Sequence, residues 1–429
     1  MIRLLDVLHP WSLSLALLPL ATSLLLASPG EAEEEKEPIV ILLSLDGMRH
    51  DYFDRAELPA FARMEAEGLR AERLVPVFPS STFPNHVSLA TGARVDTHGI
   101  INNVFIDREK GLYFYGDGEG EDGEPRDWLQ AEPLWVAAER QGLRSAVFFW
   151  VGSESDYRGQ NASYVQKPFD DGIPDSAKVD QIMEWLDLPS AQRPRLIMAW
   201  WHGADGEGHT KGPNHADIVK QLQSQDVQLA RLLEGIDERE GWDHITLMLV
   251  SDHGMTEVTD FIPLRDLLAD ADISARIIPG SATAQIFLDD PGQLDAALEI
   301  VRGIEDIEVH TQHTLPKELH ISHPTRTGDI VLLTEPPHYF FELQWYERAA
   351  LSLGGLFLDW SFGMHGYSPD HPDMGGILLA KGRGVPADTR LGAISNLDVA
   401  PTVARLLGME PPSHCEGVAI GEIGSTFAH

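Results

Sequence analysis

Seven side chains in five short segments carry the chemistry open to this sequence: Asp46, Thr82, Asp205 with His209, Asp252 with His253, and His365. Three carboxylates and three imidazoles form a mixed oxygen and nitrogen donor set that suits two zinc ions. The Asp-x-x-Gly-His spacing at 205–209 lets one turn present both side chains to one ion. Each segment also has a plainer reading. An Asp-Gly after a strand is commonly a turn, Asp-His-Gly after a strand can cap a helix, and a lone histidine is commonly a surface residue. The plain readings weaken together, because several of these groups fall just after buried strands. The hydroxyls of Pro79-Ser80-Ser81-Thr82-Phe83-Pro84-Asn85-His86 stay open in the same way. Ser or Thr before a Pro-containing helix start is commonly an N-cap. The same geometry also faces a hydroxyl toward the positive end of a helix, where a zinc ion would lower its pKa and make it a nucleophile.

The elements that must position these groups alternate. Pro38 to Leu45, Ser145 to Trp150, Arg195 to Trp201 and Ile245 to Val250 are short apolar runs, which predict buried parallel strands. Between them, helices are expected at Leu58 to Gly68, Asn85 to Thr91, Leu134 to Gln141 and Asp217 to Ile236. The main sheet resumes at Gly376 to Ala380 and closes with a helix from Asp398 to Leu407, stopped by Gly408. This pattern predicts an α/β fold: a mostly parallel central sheet with helices on both faces. Polar residues cluster after the strand ends, where open α/β sheets hold ligands. Over 261–354 the pattern changes, with strands expected at Thr283 to Leu288 and Asp329 to Leu333 and a helix at Gln293 to Val301. That stretch reads as a small inserted α+β subdomain within a catalytic domain spanning 38–429.

Composition limits the partners. Of 429 residues, 43% are apolar, enough for a large core, and the formal charge is −35. A field of that sign repels phosphate backbones, so no nucleic-acid partner is expected. An anionic substrate needs local positive charge, which metal ions supply. The single cysteine, Cys415, excludes an internal disulfide and a Cys-rich zinc finger. A basic start, an apolar run from about Trp11 to Ala27 and small residues beyond it read as a signal peptide over 1–32. The run is short for a span of about 20 residues, so no stable membrane anchor is expected after cleavage. Export without disulfides suits a bacterial periplasm or secretion.

Seven motifs stand in order: LSLDGMR (43–49), PSSTFPNHVSLATG (79–92), HGIINN (98–103), WVGSE (150–154), DGEGHTKGP (205–213), SDHGM (251–255) and GMHGY (363–367). From about Pro38 to Gly417 the chain resembles the nucleotide pyrophosphatase/phosphodiesterase family of the alkaline phosphatase superfamily. The resemblance implies an alkaline phosphatase-like fold and hydrolysis of phosphodiester or phosphoanhydride bonds of nucleotides through a phosphothreonine. It implies Thr82 as nucleophile. Asp46, Asp252 and His253 would hold the zinc that activates it, and Asp205, His209 and His365 the second zinc, which activates water. By the same resemblance Asn103 hydrogen-bonds a phosphate oxygen, and Phe83 forms an aromatic wall of the substrate pocket. Trp200 stands where the family often has Tyr, and with Phe83 it is expected to form an aromatic slot for a base. Gly203-Ala204 replaces Glu-Pro, and Trp150-Val151-Gly152-Ser153 replaces Trp-Pro-Gly-Ser. These departures touch the pocket and remove no ligand. Two other functions compete: a phosphomonoesterase or phosphonate hydrolase on the same zinc pair, and a catalytically inactive binding protein. Related monoesterases often present Lys and Arg to the extra phosphate oxygens, and 150–157 offers no such pair, only Arg158 beyond it. The inactive reading would need a lost nucleophile or ligand, and none is lost.

Overall fold

The continuous apolar runs fold as neighbouring strands of one large sheet. A computed structural model of the protein describes residues 36–114, 127–264, 268, 271–340 and 362–424. Its eight strands are β1 (Ile39–Leu45), β2 (Leu69–Val75), β3 (Ser145–Phe148), β4 (Tyr164–Gln166), β5 (Leu196–Trp201), β6 (Ile245–Val250), β7 (Leu378–Gly382) and β8 (Thr389–Ser395), and they lie in the order β8-β2-β7-β6-β1-β5-β3-β4. All pairings are parallel except those of β7, which runs against both β6 and β2. Every residue of β1 is buried, and its side chains alternate between two apolar layers. Ile39, Ile41, Leu43 and Leu45 pack with Ile182 and Trp185 of the helix Asp175–Leu186 and with Ile218, Leu229 and Leu233 of the helix Ala216–Glu238. Val40 and Leu42 pack on the other face with Leu89, Leu134, Trp135 and Val403, from the helices Thr82–Thr91, Leu134–Arg140 and Val399–Leu407. Helices on both faces explain why these strands read as unbroken apolar runs. Cutting one such leucine back to alanine typically costs about 2–5 kcal/mol.

Two differences from the expected elements touch the site. The helix expected from Asn85 starts at Thr82, with Pro84 inside its first turn, where a missing N–H breaks no helical bond. The Asp-x-x-Gly-His segment is a short helix, Asp205–Lys211, rather than a turn. Within 261–354, Ala275–Gly280, Thr283–Leu288, Ile330–Thr334 and Ile307–Thr311 form a four-stranded antiparallel sheet in that spatial order. Ile286, Ile330 and Leu332 of this sheet share an apolar cluster with Ala297, Leu298 and Val301 of the helix Leu294–Val301. The signal segment 1–32 and positions 341–354 of the expected insertion lie outside the described residues. Among the described residues, no helix is long and apolar enough to cross a membrane.

Candidate metal centre and its cleft

Strand ends bring the donors together. Asp46 directly follows β1, and Asp252 and His253 follow β6 after Ser251. The loop after β5 turns through Gly203 and starts the helix at Asp205. This loop touches the one after β1: Ala204 N–H donates to the Asp46 carbonyl at 2.8 Å. A Cβ on Gly203, at φ +59, would lie 1.7 Å from that carbonyl oxygen, so only glycine lets the two loops close. One helical turn carries His209 back over Asp205, with Nε2 at 3.2 Å from Oδ1. His365 follows the strand Phe362–Met364, which pairs antiparallel with Thr256–Val258.

The three imidazoles share one arrangement. Nδ1 of His209 meets the Gly363 carbonyl at 2.8 Å, Nδ1 of His253 the Gly254 carbonyl at 2.8 Å, and Nδ1 of His365 the Ser80 carbonyl at 3.0 Å. A carbonyl can only accept, so each Nδ1 carries a proton, and each Nε2 is the nitrogen turned toward the carboxylates. The Nε2 atoms of His209 and His365 are 3.1 Å apart. Nε2 of His253 lies 3.1 Å from Asp252 Oδ2 and 3.7 Å from Asp46 Oδ1. Asp46 Oδ1, Asp205 Oδ1 and Asp252 Oδ2 are buried and accept no hydrogen bond. Lone pairs converging in a buried space without donors are costly unless a cation lies between them. Among the described residues, Asp46, Asp252 and His253 form one group that could hold a metal ion, and Asp205, His253 and His365 another; within each group the ligand atoms lie within 4.8 Å of one another. The residues therefore fit a metal centre, with the imidazole orientation fixed from outside by backbone carbonyls.

Protons alone leave this centre unbalanced. Burial, reinforced by Asp252 and Asp205, pushes the Asp46 carboxyl well above its usual range. Burial also opposes ionisation of Asp252, but His253 and His86 outweigh it and hold that carboxyl well below its usual range. Asp205 is lowered in the same way by His209 and His365 against its own burial. Burial disfavours a charged His253, yet Asp252, Asp46 and Asp205 raise it to about 10. His365 is pushed well down by burial and by the neighbouring His253 and His209. Shifts of opposite sign within one buried cluster are common at functional sites and also occur in structural ion-pair networks.

Thr82 is the first residue of its helix, and the residue before it, Ser81, makes no side-chain capping bond. The Thr82 hydroxyl lies 3.2 Å from His253 Nε2. Asn103 Oδ1 accepts the Phe83 backbone N–H at 2.8 Å, which leaves the amide N–H groups of Asn103 for the cleft. That cleft, of about 870 Å³, is lined by Asp46, Thr82, Phe83, Asn103, Trp200 and Asp205, among others. Trp200 is half-buried, and its Nε1–H donates to Asp46 Oδ2 at 2.9 Å. Sequence reasoning assigned the ring of Trp200 but missed this donor, and no spacing signals it. It also missed His86, which is fully buried between Ser44 Oγ and the Thr82 carbonyl, both at 2.9 Å, with Asp252 Oδ2 at 3.3 Å. The clue to His86 was its place four residues after Thr82, one helical turn on.

In sequence and in fold the chain is similar to known proteins. The sequence model of the family described as type I phosphodiesterase / nucleotide pyrophosphatase matches residues 40–368. A Schizosaccharomyces pombe protein named as an uncharacterised pyrophosphatase/phosphodiesterase is 30% identical over 352 residues, 80% of this chain and 71% of that protein. A Naja atra venom phosphodiesterase is 28% identical over 382 residues, 87% of this chain and 44% of that protein. Mouse ectonucleotide pyrophosphatase/phosphodiesterase family member 3 is 27% identical over 387 residues, 87% of this chain and 42% of that protein. The chain thus spans less than half the length of the venom and mouse relatives. In fold it is similar to mouse ectonucleotide pyrophosphatase/phosphodiesterase 5, solved as an inactive variant with AMP, at TM-score 0.78 and 22% identity, covering 88% of this chain and 97% of that one. With the donor set, the cleft and these matches in hand, the chain belongs to the type I phosphodiesterase / nucleotide pyrophosphatase family.

Proposed function

We propose that this protein hydrolyses phosphodiester or phosphoanhydride bonds of nucleotides at a two-zinc centre, through a phosphothreonine on Thr82. The carrying observation is a hydroxyl not engaged in capping its own helix, 3.2 Å from His253 Nε2 and opening on the cleft. Asp46, Asp252 and His253 would hold one zinc, and Asp205, His209 and His365 the other. Bound zinc supplies Lewis acidity and lowers the pKa of a neighbouring hydroxyl or water. Thr82 Oγ1 loses its proton to solvent and forms the bond to phosphorus while the bond to the leaving group breaks in line, the leaving group taking a proton from solvent. Asn103, anchored by Phe83 N–H, aims its amide at a phosphate oxygen and stabilises charge gathering there. Phe83 and Trp200 flank the base. Hydrolysis of the phosphothreonine by water then restores Thr82.

No lysine or arginine is found among the described residues lining the cleft, which favours a diester over a monoester dianion. We also propose that 38–429 is one catalytic domain with 261–354 inserted, supported by the separate antiparallel sheet and its apolar cluster. On the basic start and apolar run, 1–32 is proposed as a leader cleaved on export to the periplasm or beyond. Sequencing the N-terminus of exported protein checks this; an intact Met1 rejects it.

One substrate panel tests the reaction and the slot together. The wild type should turn over a nitrophenyl nucleotide diester at least about tenfold faster than nitrophenyl phosphate, which lacks the second substituent the cleft binds. The reverse order would establish the monoesterase reading. Phe83→Ala should raise KM for the nucleotide diester about tenfold to a hundredfold, the equivalent of about 1–3 kcal/mol of stacking, and spare bis-nitrophenyl phosphate. Trp200→Ala should damage both substrates, because it removes the wall and the donor to Asp46 together. Equal losses on both substrates for Phe83→Ala would remove the base slot.

A further inference from the structure

Lys178 lies on the helix Asp175–Leu186 with 0% side-chain exposure, a rare place for an ammonium group. Its Nζ donates to Asp175 Oδ1 at 3.0 Å and lies 3.5 Å from His202 Nδ1. His202 Nδ1 is 3.1 Å from the same carboxylate oxygen, and its Nε2–H donates to the Asp171 carbonyl at 2.7 Å. Both residues converge on one indole. The Lys178 ammonium sits over the Trp200 ring, 4.3 Å from its centroid, and the His202 ring centroid is 4.8 Å away. At its other end that indole donates to Asp46 Oδ2.

We infer that Lys178 is a positioning residue that acts through Trp200 on Asp46. A cation over an indole face attracts π-density and makes the ring N–H a stronger donor. The N–H engages Asp46 Oδ2, and Oδ1 is left unpaired, 3.7 Å from His253 Nε2. Through that bond Lys178 would help hold the Asp46 carboxylate with its free oxygen toward His253. A merely structural ion pair between Lys178 and Asp175 needs no ring beneath the ammonium. The inference rests on the proposal that Asp46 holds a metal.

The test is zinc retention by purified, zinc-loaded protein in competition with a chelator, read as zinc content. Asp175→Asn accompanies each Lys178 change so that no buried carboxylate is orphaned. Lys178→Met/Asp175→Asn should lose zinc at an about three- to tenfold lower chelator concentration, milder than loss of a residue touching a ligand directly. In a Trp200→Phe background, which keeps a ring and lacks the donor, the Lys178 change should have no further effect. Retention equal to wild type, or an undiminished fall in the Trp200→Phe background, overturns the relay. Should the methionine variant not fold, Lys178→Gln/Asp175→Asn is read by the same two comparisons. A wild type without tightly held zinc overturns the metal reading and this inference with it; a zinc-loaded wild type indifferent to Lys178 overturns the inference alone.

Discussion

Thr82→Ala is expected to lower turnover of a nucleotide diester by at least about a thousandfold while zinc content and melting temperature stay near wild type. Two features separate chemistry from stability here. Ser81, not Thr82, occupies the cap position, so the helix start loses no partner. The Thr82 hydroxyl meets His253 Nε2 rather than a backbone N–H, so its removal strands no buried donor. Thr82→Ser keeps a hydroxyl on the same backbone and should retain measurable turnover. Steady-state assays alongside metal analysis and thermal melts check the set. An alanine variant with more than about a tenth of wild-type turnover would rule out the covalent route, since nucleophile losses cost far more.

Asp46→Asn and Asp252→Asn should each cut activity by at least about a hundredfold through lost zinc, yet move the stability of the metal-free protein in opposite directions. Asp46 is buried beside two other carboxylates, and its charged form is disfavoured. Neutralising it in chelated protein removes that crowding and should raise the melting temperature. Asp252 accepts the Gly47 N–H at 3.2 Å and lies between His86 and His253, which favour its charge. Replacing it should lower stability by about 1–3 kcal/mol, the range for stranding buried polar partners. Melting in excess chelator decides the matter. If both variants fell together, the crowding account of Asp46 would be wrong.

The strands beneath the site were legible because helices cover both faces and nearly every position is apolar, as in Ile39–Leu45 and Ile245–Val250. β2 was not, since Leu69–Val75 interleaves Arg70, Glu72 and Arg73 with its buried residues. The reversed direction of β7 was hidden too, because a buried run has no polarity that composition can report. At the site, residue types that bind metals stood out by chemistry and by their place after strands. The carbonyls of Ser80, Gly254 and Gly363 that orient the imidazoles are backbone groups, and no residue letter encodes them. Lys178 carried no signal in the sequence; only the fold shows its charge over an indole.

Those carbonyl contacts also set a timetable. His209 is held by Gly363, and His365 by Ser80, so the donor set closes across most of the length of the chain. A ribosome that has not yet made the segment around Gly363 has produced a His209 free to rotate and a cleft with one imidazole missing. Small zinc modules use the ion as a folding nucleus. Here the proposed donor set includes His365, so it is complete only once the chain has been made past that residue.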